Sequence, residues 1–209
     1  MTSRTARPGP PVPSPARRRR GRARPAAGRA ASGLPYVPDA RAGPPELVAA
    51  IRARRAGGRL LNLDRLLLHS PGLAHGWNTM LGALRGRLSL PARLRELAIV
   101  AIGALNGAEY EWRQHAPELL AAGGTRAELR RLRDVRAAAR DPRFGEVERA
   151  TLALAWEMTR RVKVRAATLR RLRALLPDAQ VVELVAVVAG YNMVSRFVVA
   201  TGVGLERRR

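Results

Sequence analysis

The sequence predicts an all-α fold, and three observations carry that prediction. Apolar residues recur at helical spacing from Leu34 onward, Pro and Gly stand where helices would start and stop, and no stretch alternates apolar and polar residues as a strand would. At 209 residues with 46% hydrophobic content, the chain is long enough for one domain with a substantial core.

Each element follows from local chemistry. Leu34 to Pro38 reads as an extended lead-in, because each proline fixes its own φ and steers its predecessor away from helix. Pro44 and Pro45 open a helix carrying Leu47, Val48 and Ile51, which Gly57-Gly58 closes. Leu60 to His69 is next, with Asn62 as its expected N-cap and Pro71-Gly72 as its stop, followed by Leu73 to Leu84. Ser89-Leu90-Pro91 launches the central helix, with Ser89 placed to cap it and Asn106-Gly107 to break it. Gly123-Gly124-Thr125 ends the following helix and caps another over Arg126 to Arg136. Glu146 to Val162 and Ala166 to Leu176 are amphipathic, and Pro177-Asp178 precedes a final helix to Thr201 with Asp178 as cap. Glu183, Asn192 and Arg196 interrupt that last apolar run, which reads as a buried core helix rather than a membrane span.

Residues 1–33 form a separate region. It is rich in Arg, Pro, Gly and Ala, holds no acid and has no apolar period, so it is expected to be a disordered basic tail, with 34–209 as the helical domain. No apolar stretch follows Arg17 to Arg20, which argues against an export signal and places the protein in the cytoplasm. A solvated tail or a start assigned too far upstream explains the segment better than an interaction arm does.

Charge and cysteine bound the chemistry. The net charge of +23 is almost all arginine, with Lys163 the only lysine, and it accompanies abundant Ala, Gly and Pro. That joint bias matches a GC-rich coding background, so nucleic acid is not an expected partner despite the basic tail, nor is a membrane. The absence of cysteine excludes a disulfide framework, thiolate metal sites and thiol catalysis. The three histidines are too scattered in sequence for a metal site.

Reactive side chains concentrate in Leu94 to His115. Glu111 and His115 are four apart, hence on one helical face, and Glu96 comes from the preceding helix across the Asn106-Gly107 turn. A carboxylate beside an imidazole favours its protonated form and fixes its tautomer, as a general acid or base requires. Such a pair also occurs as a solvated surface contact worth a few tenths of a kcal/mol. Tyr110 and Trp112 beside the pair, with Trp77 from the earlier helix, would wall a substrate, and Arg113 or Arg95 would hold an anion. A weaker signal is a repeat: Glu96 and Glu183 each lead an Ala/Val-rich run that ends near Asn106 or Asn192. Either two similar helices pack together or the likeness is chance.

The segments Arg95–Ile99 (RELAI), Asn106–His115 (NGAEYEWRQH), Ala122–Thr125 (AGGT) and Tyr191–Phe197 (YNMVSRF) resemble the carboxymuconolactone decarboxylase family, which includes the alkylhydroperoxidase D-like proteins. The resemblance spans about Leu60 to Glu206. It implies a compact multi-helix alkylhydroperoxidase D-like bundle, assembled as a dimer, trimer or hexamer of identical chains. In the family's peroxidase branch a glutamate precedes a Cys-x-x-Cys-x-x-x-His motif. Here Glu96 and His115 match, while Ala108 and Glu111 stand at the cysteine positions, so disulfide-exchange peroxide reduction has no residues to perform it. The decarboxylase branch, with glutamate at the second position, fits better. The implied activity is cofactor-independent decarboxylation or related proton transfer on a small carboxylated, lactone-like substrate, with His115, Glu96 and Glu111 catalytic. A non-catalytic family member that binds a small acid or serves as an assembly subunit is the alternative.

Overall fold

The computed structural model describes residues 28–206. Its core is built round one helix, α4 (Ala92–Leu105). Leu97 to Ile102 are apolar on every side, so no face of this helix favours water, and none of the six is more than 1% exposed. Three helices cover it: α5 (Glu109–Ala121), α8 (Glu146–Arg161) and α10 (Asp178–Thr201).

The α4–α5 hairpin turns at Asn106 to Ala108. Gly107 takes φ 64°, a conformation that costs glycine little, and Ala108 N donates to Gly103 O at 2.8 Å. Gly103 lets the two backbones approach, since a Cβ there would lie 3.2 Å from Trp112 N. This hairpin brings Glu96 on α4 against His115 on α5.

The repeated glutamate-to-asparagine pattern is a packed pair. Glu183 near the start of α10 accepts hydrogen bonds from Ser89 N, Ser89 Oγ and Leu90 N just before α4, and Asn106 Nδ2 donates to Asn192 Oδ1 at 3.0 Å at the other end. The two helices thus run the same way across the core. By length and composition α10 could cross a membrane, yet Leu184, Val187, Val188 and Tyr191 are buried within the bundle.

Helices α1 (Pro45–Ala53), α2 (Asn62–Leu67) and α3 (Pro71–Gly86) form a flank, with α3 resting on α10. On the opposite flank, α6 (Arg126–Arg131), α7 (Val135–Ala138) and α9 (Ala166–Leu175) lie beside α8 or its neighbours. Among the described residues the only β pairing is an isolated bridge between Arg29 and Pro35.

Several local expectations give way to stronger partners. Pro71 opens α3 instead of merely ending α2, because the first helical position has no use for the N–H that proline lacks. Asn62 is not the N-cap: it stands inside α2 and donates to Gly204 O, while Asp64 reaches back to Leu61 N. Ser89 does not cap α4, since its hydroxyl donates to Glu183. Asp178 lies within α10 and pairs with Arg173. The helix expected over Arg126 to Arg136 is two helices, because Asp134 accepts from Ala137 N and restarts the chain as α7. Thr125 does cap α6, accepting from Glu128 N while Thr125 N donates to the Glu128 carboxylate.

Most of the expected disordered tail, residues 1–27, lies outside the described residues. Its last six residues do not fit that expectation. Ala30 is buried, and Ala31 N donates to Gly202 O at 2.8 Å, so the packed domain starts before Leu34.

Candidate active site

Glu96, Glu111 and His115 converge, and all three are buried. His115 Nδ1 lies 2.7 Å from Glu96 Oε2, the short distance of a charge-assisted hydrogen bond. With Nδ1–H donating to this carboxylate, Nε2 is left to face Glu111 Oε2, 3.6 Å away. That distance exceeds a hydrogen bond and is short enough for one to form on a small movement. Arg95 Nε donates to the other Glu96 oxygen at 3.1 Å. The imidazole is steadied further by the Tyr191 ring, edge-on at a centroid distance of 5.1 Å.

The two carboxyls have opposite electrostatics. Burial pushes Glu96 up, but the hydrogen bonds and charges of His115 and Arg95 outweigh it and hold that carboxyl below its ordinary value. Burial pushes Glu111 up, and the cations around it do not cancel the effect. One carboxylate is thereby kept ionised and the other inclined to hold a proton, the division of labour a proton relay needs.

A cavity of about 140 Å³ opens beside them. Helix α5 lines it with Tyr110, Glu111, Gln114, His115 and Glu118, a set spaced three and four apart on one face. Helix α3 adds Trp77, Leu81 and Arg85 by the same rule, and α10 adds Tyr191 and Val194. Arg54 and Arg55, at the end of α1, complete one wall. Glu96 does not line the cavity; it touches His115, which does.

Of the expected substrate-binding residues, Trp77 and Tyr110 reach the cavity while Trp112 and Arg113 do not. The reason is helical phase, since residues one and two positions past Glu111 turn about 100° and 200° away from it. Trp112 instead packs beneath Arg133, whose guanidinium carbon is 3.6 Å from the ring centroid, and exposed Arg113 pairs with Glu109. Arg95 is held by Glu96 and is not at the mouth either. Tyr110 is more anchored than expected: its hydroxyl donates to Glu206 Oε1 at 2.9 Å, and Gln114 donates to the other oxygen of that carboxylate. Burial first, then the Glu206 charge, raise its phenol well above the usual value and keep it protonated.

Sequence reasoning missed Arg54, Arg55, Arg85 and Tyr191. Only Tyr191 carried a signal, as the first residue of the YNMVSRF segment. Arginines are so frequent in this chain that no pattern marks those three. Among the described residues, no group of three or more His, Asp or Glu side chains has the arrangement to hold a metal ion.

The carboxymuconolactone decarboxylase family model matches residues 71–157, which include Glu96, Glu111 and His115 but not Tyr191. An uncharacterised peroxidase-related protein from Ralstonia eutropha JMP134, with an alkylhydroperoxidase AhpD core, is 20% identical at a TM-score of 0.70, over 81% of this chain and 90% of that one. A peroxidase-related protein from Silicibacter sp. TM1040 is also 20% identical, at 0.68, over 82% and 92%. A cysteine-to-alanine variant of the debrominase Bmp8, in complex with 2,3,4-tribromopyrrole, is 17% identical at 0.68, over 82% and 90%. No curated protein matches the chain. Residues 71–157 thus match the carboxymuconolactone decarboxylase family model, on a helical fold similar to the AhpD-like structures and without a single cysteine.

Proposed function

We propose that this chain is a cofactor-independent enzyme that moves a proton to or from carbon on a small carboxylated, lactone-like compound, with decarboxylation as its reaction. The observation that carries this reading is Glu111: a buried carboxyl that burial disposes to keep its proton, facing a cavity and backed by an imidazole whose other nitrogen a carboxylate holds.

The steps balance without another reagent. The bond from the substrate's α-carbon to its carboxylate breaks, CO₂ leaves, and the electron pair remains on the carbon, delocalised into the lactone carbonyl. Glu111 gives its proton to that carbon and becomes a carboxylate. A proton from water then passes to His115 Nε2, where Glu96 stabilises the imidazolium, and on to Glu111, which restores the starting state. Tyr191, whose phenol is kept protonated by burial, stands in the cavity as a donor toward the developing enolate oxygen.

Turnover of carboxylated butenolides in D₂O tests the reading: CO₂ is released and one solvent-derived deuterium enters the product. His115→Ala abolishes turnover while leaving the helical spectrum and oligomeric state intact; unchanged activity in that variant overturns the assignment. Tight binding of such acids without turnover would favour the non-catalytic alternative. Thiol-based peroxide reduction lacks its nucleophile; loss of organic hydroperoxide with a reductant, abolished by His115→Ala, would contradict that argument.

A further inference from the structure

Three arginines line the cavity, Arg54, Arg55 and Arg85, against two glutamates, Glu111 and Glu118, of which burial disposes Glu111 to stay neutral. Arg55 is committed: it forms a two-point ion pair with buried Asp64, at 3.0 and 2.6 Å. Arg54 donates from Nε to Asn78 Oδ1 at 2.7 Å, which leaves its two terminal amines uncommitted. Arg85 makes no hydrogen bond or ion pair with any described residue, although it is half-buried and lines the cavity. Asn78, Gly82 and Arg85 follow one another along one face of α3, and the Arg54 side chain lies across Gly82, where a Cβ would meet its Cδ at 3.3 Å. A bare helix surface thus lets Arg54 lie down beside Arg85. Two like charges held together at the edge of low-dielectric space are costly unless an anion joins them.

We propose that Arg54 and Arg85 form a clamp for a substrate carboxylate, and that the size of the cavity restricts the protein to single-ring carboxylates. The inference deepens the proposed function and rests on the same cavity. Burial, and then the neighbouring Arg55, bring Arg54 down to about 10, the behaviour of a cation short of counter-charge. The volume of about 140 Å³ sets the size class, since an apolar cavity of about 150 Å³ holds one benzene ring. The clamp stands on α3 and the end of α1, while Glu111 faces the same space from α5, so an acid held by its carboxylate presents its ring to the proton donor.

Calorimetric titration of the full chain with benzoate, benzamide and 1-naphthoate tests this without requiring turnover. Benzoate binds at least about tenfold more tightly than its neutral isostere benzamide, as the loss of a charge-assisted bidentate contact predicts, and naphthoate does not bind. Arg85→Gln weakens benzoate by about tenfold or more and leaves benzamide unchanged; Arg85→Lys recovers part of the loss. Equal binding of benzoate by wild type and Arg85→Gln, or equal binding of benzoate and benzamide by wild type, overturns the clamp. If Arg85→Gln fails to fold, the Arg85 side-chain Nε–H resonance of wild type decides: benzoate shifts it and benzamide does not, and no shift refutes the proposal. A protein that binds benzoate through Arg85 but turns over no lactone acid refutes the reaction alone, and turnover that ignores Arg85 refutes the clamp alone.

Discussion

Replacing Glu111 by Gln should separate stability from activity. The carboxyl is buried, has no hydrogen-bond partner among the described residues, and is pushed by burial toward its neutral form. A group whose folded pKa is raised contributes its full stability below the unfolded value and loses it as pH rises through the folded one. Wild type therefore gives up stability from the ordinary glutamate range, about 4.5, upward, whereas Gln has nearly the same shape and cannot ionise. Ionising a buried carboxyl costs free energy that a neutral amide of the same shape does not incur, so the variant should gain on the order of 1 kcal/mol at pH 8 and nothing at pH 4. In a chain of this size each kcal/mol moves Tm by about 2–4 °C. Urea unfolding at the two pH values, followed by helical circular dichroism, measures the difference, and the other acids cancel because both proteins contain them. Turnover should vanish in the variant, since the amide has no proton to give. A Gln variant no more stable than wild type at pH 8, or equally stabilised at pH 4, would refute the claim that burial holds Glu111 neutral.

Other consequences can be measured in the same way. Glu96→Gln should cost about 1.5–3 kcal/mol at pH 7, the worth of a hydrogen bond to a charged group; because the Glu96 pKa is depressed, that stability is present above the ordinary glutamate range and lost as pH falls through the folded value, so the gap between variant and wild type should close in acid. Arg113→Ala should change turnover and stability little, because its exposed pair with Glu109 is worth about 0.3–0.5 kcal/mol; a tenfold loss of activity would restore it to the site. Gly103→Ala should destabilise by about 1–3 kcal/mol and slow turnover, since the new Cβ presses on Trp112 N and shifts the helix that carries Glu111 and His115. Val162→Gly at the end of α8 should stabilise by about 1 kcal/mol in thermal unfolding, because Val162 sits at φ 64° with no packing to lose at 82% exposure.

The cluster of Glu96, Glu111 and His115 was legible because its geometry is nearly local. A spacing of four places Glu111 and His115 on one face of any helix, and a hairpin at Asn106-Gly107 returns His115 toward Glu96. The same rule, applied one step further, would have turned Trp112 and Arg113 away from that face. Caps at Asn62, Ser89 and Asp178 were misread for another reason. Each has a partner distant in sequence or on another helix, Gly204, Glu183 and Arg173, and local propensity has no knowledge of such partners.

The all-α class, the order of the helices, the buried α4 and the exclusion of thiol chemistry are properties of the sequence alone, because they depend on periodicity, on proline and glycine, and on which residue types exist. What surrounds the triad is not. Arg54, Arg85 and Tyr191 come from three helices separated by up to 137 positions, and they share a cavity only because α3 and α5 both pack beside α10. In a chain with so many arginines, residue type cannot mark the ones that matter. Only the tertiary structure shows that Asp64 occupies Arg55 and that Arg85 faces the cavity without a partner among the described residues.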